Sequence, residues 1–355
     1  MDLVERLLDH CSHVCVTGEE APIADAVAAR AVELGLPLTR VGDSVIIGER
    51  TDDGRPLVLL VGHLDVVPPT EDDLHPRVES RPDGDVVVAR GASDMKAGNV
   101  IALDVIEDLE FRQASPYELA VVLYAREEGP AAENELADVL DQATWLREAE
   151  LAIVLEPTDS EIQLGCLGAL HATVEFTGKQ AHSARPWHGE NALTKAAPFL
   201  AEVGAREAVD VEVDGVVFRD VWSATQAWTE NARNVIPGSF TVNLNLRFAP
   251  TRGLEEAEQE LRDMVGDRAI VDVIDRAPPA PPRRDAELVE AFIASVDAPV
   301  TAKQAWTDVA RFAAVDVPAL NFGPGLTSQA HQRGEYIPVA ALHDAASKVR
   351  GFLRG

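Results

Sequence analysis

Cysteine is scarce in this 355-residue chain, at three residues, Cys11, Cys15 and Cys166. An odd, sparse count argues against a disulfide framework and fits a reducing cytoplasm. Cys11 and Cys15 stand four apart, on one face of the expected first helix. With no matching Cys or His pair nearby they read as ordinary thiols rather than half of a zinc site. Long apolar runs are missing as well, so no segment is expected to span a bilayer. The opening "MDLVERLLDHCSHVC" reads as an amphipathic helix, not as the apolar stretch of a signal. Positive charge is in short supply, with 31 Lys and Arg against 60 Asp and Glu and a net charge of −29. Such a field repels phosphate and argues strongly against a nucleic-acid partner. It equally opposes the arrival of an anionic substrate, which local cations would have to hold.

What is present is globular: nearly half the residues are apolar, and the length suggests two domains. Up to about residue 165, helical spacing alternates with β-rich apolar runs. "EAPIADAVAARAVELGL" and "KAGNVIALDVIEDL" have the period of helices; "PLVLLVGHLDVVP", "YELAVVLYA" and "LAIVLEP" have the character of buried strands. That alternation predicts an α/β sheet covered on both faces. Past Gly165 the order becomes β-α-β-β-α-β: "ALHATVEFTG", "NALTKAAPFLAEVGA", "VWSATQAWTE", "SFTVNLNLRFAP", "GLEEAEQELRDMVG", "AIVDVIDR". This is the split pattern of a ferredoxin-like α+β domain. The Pro-rich "APPAPPRR" then leads back to α/β alternation. The expected division is 1–166 and 277–355 for an α/β domain, interrupted by an inserted domain at 167–276.

Five places carry an acid or a histidine where an apolar strand ends or in the turn beyond it. They are "VGHLDVVP" (His63, Asp65), "RGASDMKAG" (Asp94), "AREEGP" (Glu127, Glu128), "VLEPTD" (Glu156) and "GPGLTSQAHQRGE" (His331). Taken singly, each has a plainer reading: Asp94 as the N-cap of a helix at 95–109, His63 as a core histidine, the glutamates as solvated loop charges. Taken together they supply two imidazoles and several carboxylates. Sites in open α/β sheets gather beyond the carboxyl ends of strands. These are the donors zinc accepts in catalytic sites. Residues two apart on a strand face the same way, so Asp65 is expected to orient His63 by accepting its second N–H. The adjacent glutamates could divide two duties, one as ligand and one as proton carrier.

"GHLDVVP", "GASDMKAG", "EEG", "EPT", "HSARPWHGENA", "NVIPG", "NLR" and the late His after "GP" resemble, in order and over nearly the whole chain, the zinc aminoacylase and carboxypeptidase superfamily of cocatalytic metallohydrolases. Within it, "GCLGALHATVEFTGKQAHSARPW" and "WTDVARF" are most similar to the desuccinylases of actinobacterial type. The resemblance implies a zinc-exopeptidase-like mixed-sheet catalytic domain with an inserted ferredoxin-like lid and dimerisation domain. It implies two divalent ions, zinc first and cobalt or manganese as substitutes. Asp94 would bridge them, His63 and Glu156 would complete one site, and Glu128 and His331 the other. Glu127 would be the general base, and Asp65 would support His63. His182 would reach a partner subunit's site in a homodimer and stabilise the oxyanion. Arg247 would grip a substrate carboxylate, and Asn234 would line the same cleft.

The implied reaction is cytoplasmic hydrolysis of a small anionic N-acyl amino acid, N-succinyl-LL-2,6-diaminopimelate, to succinate and LL-2,6-diaminopimelate. Other acyl groups, as in N-acetylornithine deacetylases, aminoacylases or dipeptidases, keep the same site. An idle metal-binding paralogue would be expected to have lost its base or a ligand, and here all are present. One departure stands out. The turn after the "EP" strand reads "GCLG", where related desuccinylases place an arginine.

Overall fold

A computed structural model describes residues 2–51 and 53–355. By contact the chain divides into two compact units. One comprises Met1–Leu164, Arg283–Thr301 and Arg311–Gly355; the other comprises Gly165–Pro282 and Ala302–Ala310. Within the second unit the two crossing segments bridge each other, Cys166 and Ala280 exchanging backbone hydrogen bonds of 3.0 and 3.1 Å.

The first unit is built on an eight-stranded mixed sheet. Its order is Leu38–Val41, Ser44–Ile47, Glu118–Tyr124, Leu57–His63, Leu151–Val154, Ala319–Asn321, Ile162–Leu164, Val300–Ala302. Leu57–His63 is parallel to both its neighbours, with His63 opposite Tyr124 and Val61 opposite both Val122 and Val154. Every residue of these three strands is buried. Burial on both faces is why they read as continuous apolar runs rather than as alternating ones. Each such Val or Leu contributes roughly 1.5–3 kcal/mol by leaving water. The shared register brings the carboxyl ends of the three strands to one edge. There Gly62 is required by packing, because a Cβ would fall on Asn99 Oδ1, and Asn99 Nδ2 donates to the His63 carbonyl at 2.7 Å.

The second unit holds a five-stranded antiparallel sheet, in the order Val209–Val213, Val216–Trp228, Ser239–Phe248, Gly168–Thr177, Ile270–Ala277. The last four follow the ferredoxin-like order. The fifth, "VDVEV", is an added edge strand that the sequence reading missed because its charged residues mask the β pattern. Helices Ala192–Gly204 and Leu254–Val265 bury Phe199, Val203, Leu261 and Val265 against Leu170, Val174, Phe176, Leu244 and Leu246. Residues of the intervening positions are polar, as alternation requires: Asn243 donates to Thr225 Oγ1 at 2.6 Å.

Two local expectations change. The first helix is Leu3–Ser12, so Cys15 lies beyond it and does not share a helix face with Cys11. Instead the Cys15 thiol donates to the Leu64 carbonyl at 2.8 Å. All three cysteines are free and buried. Asp94 is not an N-cap. The chain makes one wide π-type turn over Ala92–Lys96, and the helix runs Ala97–Glu107 with no side-chain cap. No helix among the described residues is long and apolar enough to cross a membrane.

Candidate metal centre

His63 is the last residue of its strand and is 1% exposed. Its Nδ1–H donates to the main-chain carbonyl of Asp65 at 2.9 Å, which leaves Nε2 aimed at Asp94 Oδ1, 3.2 Å away. The other Asp94 oxygen, Oδ2, stands 3.6 Å from His331 Nε2. His331 Nε2 also lies 2.9 Å from Glu128 Oε2. One buried carboxylate therefore sits between two imidazoles, an oxygen toward each.

The electrostatics follow from this crowding. Burial alone would lower the His63 pKa, but the hydrogen bond to Asp94 and the charges of Glu127, Asp94 and Asp65 outweigh it. The imidazole is held well above its ordinary range. Partly exposed His331 is raised too, first by its hydrogen bond to Glu128, against partial burial, with Asp94 and Glu335 adding to the effect.

Asp65 supports the site through different atoms from those expected. The strand stops at His63, so Asp65 no longer shares its face, and the carboxylate lies 3.7 Å from Nδ1. Fully buried, it accepts instead the backbone N–H groups of Glu127 and Glu128, both at 3.0 Å, and the Thr17 hydroxyl at 2.9 Å. The turn that makes this possible is Arg126, at φ 65°. Its N–H donates to buried Glu20 at 3.1 Å. The two glutamates are thus presented side by side from one fixed stretch of backbone.

His63, Asp94 and Glu128 offer ligand atoms that all lie within 4.8 Å of one another; among the described residues this is the one group of its kind. Imidazole nitrogen with carboxylate oxygen is the donor set zinc accepts, so these residues fit a divalent cation. His331 joins the group through Glu128 and Asp94. Glu156 is buried two residues past Val154, at the end of the strand beside that of His63, and lies outside the three-residue group. His182, Asn234 and Arg247 belong to the second unit. His182 is exposed, on a two-residue strand paired with Val235–Ile236, and Ser183 N–H donates to the Asn234 carbonyl at 2.8 Å. Arg247 is half-buried; its Nε donates to Asn245 Oδ1 at 3.2 Å, and burial lowers its pKa.

Sequence reasoning missed Glu335, Arg90 and Asp73, all buried in the first unit. Glu335 accepts from the backbone of the Asp94 segment. The only signal for it was an acid directly before a short apolar strand, which does not separate it from a solvated glutamate.

The sequence matches the model described as Peptidase family M20/M25/M40 over residues 59–354. It is 36% identical to the succinyl-diaminopimelate desuccinylase of Corynebacterium glutamicum, over 99% of this chain and 95% of that one. A Mycobacterium tuberculosis protein provisionally named as the same enzyme is also 36% identical, over 100% and 98%. Among solved structures, the aminopeptidase PepT of Bacillus cereus superposes with a TM-score of 0.78 at 19% identity, covering 99% of this chain and 97% of the other. The YXEP protein of Bacillus subtilis, a dinuclear metal binding peptidase from the M20 family, gives 0.70 at 15% identity, covering 99% and 96%. These two share the fold. With the family model spanning most of its length, the chain belongs to peptidase family M20/M25/M40.

Proposed function

We propose that the protein is a metal-dependent amidohydrolase that cleaves N-succinyl-LL-2,6-diaminopimelate to succinate and LL-2,6-diaminopimelate. The observation that carries the chemistry is Asp94, set between His63 and His331 with one oxygen toward each. The substrate rests on full-length relatives that bear the desuccinylase name. In this reading Asp94, His63, Glu156, Glu128 and His331 would hold two divalent ions, zinc by their donor set, with His63 and Glu156 serving one and Glu128 and His331 the other. When bound, such ions polarise the amide carbonyl and lower the pKa of water.

The chain's own residues do the rest. Asp65 fixes the backbone of the glutamate pair, so that Glu128 faces His331 while Glu127 serves as general base. Glu127 takes a proton from the attacking water and returns it to the leaving amine nitrogen, which splits the amide C–N bond. His182, supplied by the partner in a homodimer, donates to the developing oxyanion. Arg247 pairs with a substrate carboxylate through the fork of its guanidinium, and Asn234 lines the same cleft. A half-buried arginine is the kind of local cation an anionic substrate needs in a chain of net charge −29. Three buried free thiols suit a cytoplasmic setting.

The test is turnover of N-succinyl-LL-diaminopimelate against N-acetylornithine by metal-loaded enzyme. A clear preference for the succinyl substrate is expected. Preference for the acetyl substrate would refute the assignment and leave the metal chemistry standing.

A further inference from the structure

Outside the candidate ligands, a buried ion triad links two distant parts of the first unit. Glu335 is 1% exposed, and each of its oxygens takes two donors. Oε2 accepts from Arg90 Nη1 and from Gly91 N–H, both at 2.9 Å. Oε1 accepts from Ser93 N–H at 2.7 Å and from Asp94 N–H at 2.9 Å. Arg90 reaches back to Asp73 Oδ2 at 3.2 Å, and that same oxygen accepts from Gly334 N–H at 2.9 Å and Glu335 N–H at 3.3 Å. The Ala89 N–H donates to the Glu335 carbonyl at 3.1 Å, and the Ser93 hydroxyl to the Tyr336 carbonyl at 2.8 Å.

These bonds join the segment 89–94, which ends at Asp94, to the segment 334–336, which begins three residues after His331. His331 itself stands at φ 60° and is partly exposed. Its loop is turned by bonds from Gln329 N–H to the Leu326 carbonyl and from Gln332 N–H to the Gln329 carbonyl, and Glu335 anchors the chain just beyond it. We infer that Glu335 is a positioning residue, setting the spacing between Asp94 and His331 by tying the Asp94 backbone to the chain three to five residues beyond His331. The inference rests on the reading of Asp94 and His331 as ligands of neighbouring cations. A buried ion pair is a weak source of net stability. Four donors converging on one carboxylate is instead a strong geometric constraint.

A glutamine cannot reproduce it. An amide has one oxygen, so its nitrogen would confront either Arg90 Nη1 and Gly91 N–H or Ser93 and Asp94 N–H, two donors without an acceptor. The experiment uses the full-length protein stripped with chelator and reloaded with Zn²⁺ or Co²⁺. Affinity is read by competition with a chromophoric chelator, and ligand geometry by the visible Co²⁺ spectrum. Wild type is expected to bind two ions. Glu335→Gln is expected to weaken binding roughly 10–100-fold, the range for groups that orient metal ligands, and to alter the Co²⁺ spectrum. Glu335→Asp, which keeps both oxygens, is expected to recover part of each.

Wild-type affinity and spectrum in a folded Glu335→Gln protein would overturn the positioning role. Wild type that binds no metal would overturn the ligand reading instead. If Glu335→Gln does not fold, amide exchange in the wild type decides. Gly91, Ser93 and Asp94 should then show strong protection of similar size in the metal-free protein, and exchange at the rate of open loops would overturn the clamp.

Discussion

Asp65→Asn separates two ways of supporting His63, the histidine proposed as a metal ligand. The Asp65 carboxylate divides its acceptance: Oδ1 takes the Glu127 N–H, while Oδ2 takes the Glu128 N–H and the Thr17 hydroxyl. An asparagine keeps one oxygen. In its better orientation it retains the Glu128 and Thr17 contacts and turns its amide toward the Glu127 N–H, a donor against a donor. The expected loss of stability is about 1–3 kcal/mol, the usual cost of stranding one such donor. The His63 tautomer should be unchanged, because its Nδ1–H bonds to the Asp65 main-chain carbonyl, which the substitution leaves in place. Displacing Glu127 by about 1 Å is enough to cost on the order of 10²-fold in kcat. The assay has three parts: urea unfolding, steady-state turnover with bound metal quantified, and ¹⁵N NMR of the His63 ring. Stability and kcat should fall while the His63 tautomer is unchanged. A shifted tautomer with undiminished stability would show that the carboxylate acts on the imidazole after all, and would refute the reasoning.

Five further outcomes are expected. Glu127→Gln should lower kcat by about 10²–10⁴-fold, the contribution of a positioned base, with metal content retained; Glu128→Gln should lose metal affinity first, seen by equilibrium dialysis. Arg247→Ala should raise KM roughly 10–100-fold with kcat less affected, matching a lost charge-assisted pair of about 1.5–3 kcal/mol. Burial pushes Cys11 up to about 12 and Cys166 up to about 11, so a thiol reagent at pH 8 should leave both untouched until the protein unfolds. Buried His10 is lowered to about 3 by desolvation, with the nearby charges of Lys96 and His13 adding to it. It is neutral when folded but binds a proton when unfolded below about pH 6.5. Its stabilising contribution is therefore full above that pH and lost as pH falls toward about 3, with a slope approaching about 1.4 kcal/mol per pH unit. A His10→Leu variant should flatten this limb of a urea-unfolding profile.

The central strands were legible because burial on both faces leaves a direct mark, an apolar run that stops abruptly at a charged residue. His63, the glutamate pair and Glu156 were singled out by that mark, and each lies at or just past the end of a buried strand. The helix after Asp94 was placed two residues early, since nothing in "ASDMKAG" announces a wide turn before it. Asp65 was judged from strand alternation, which fails one residue after a strand ends. Glu335, Arg90 and Asp73 were not legible, because their bonds join residues some 240–260 positions apart with no periodic pattern around them. The edge strand Val209–Val213 was lost because propensity reads Asp210 and Glu212 as loop residues, whereas pairing with Val216–Trp228 decides their conformation.

The main sheet also has a history in synthesis. Leu151–Val154 pairs on one side with Leu57–His63, made long before it, and on the other with Ala319–Asn321, made long after. Until residue 321 leaves the ribosome, a buried, wholly apolar strand has an unpaired edge, while all of Gly165–Pro282 is produced in the interval. Exposed apolar edges template pairing with other chains. Chains cut short between about residues 283 and 318 should therefore aggregate, and the nascent protein depends on prompt completion or on a chaperone to shield that edge.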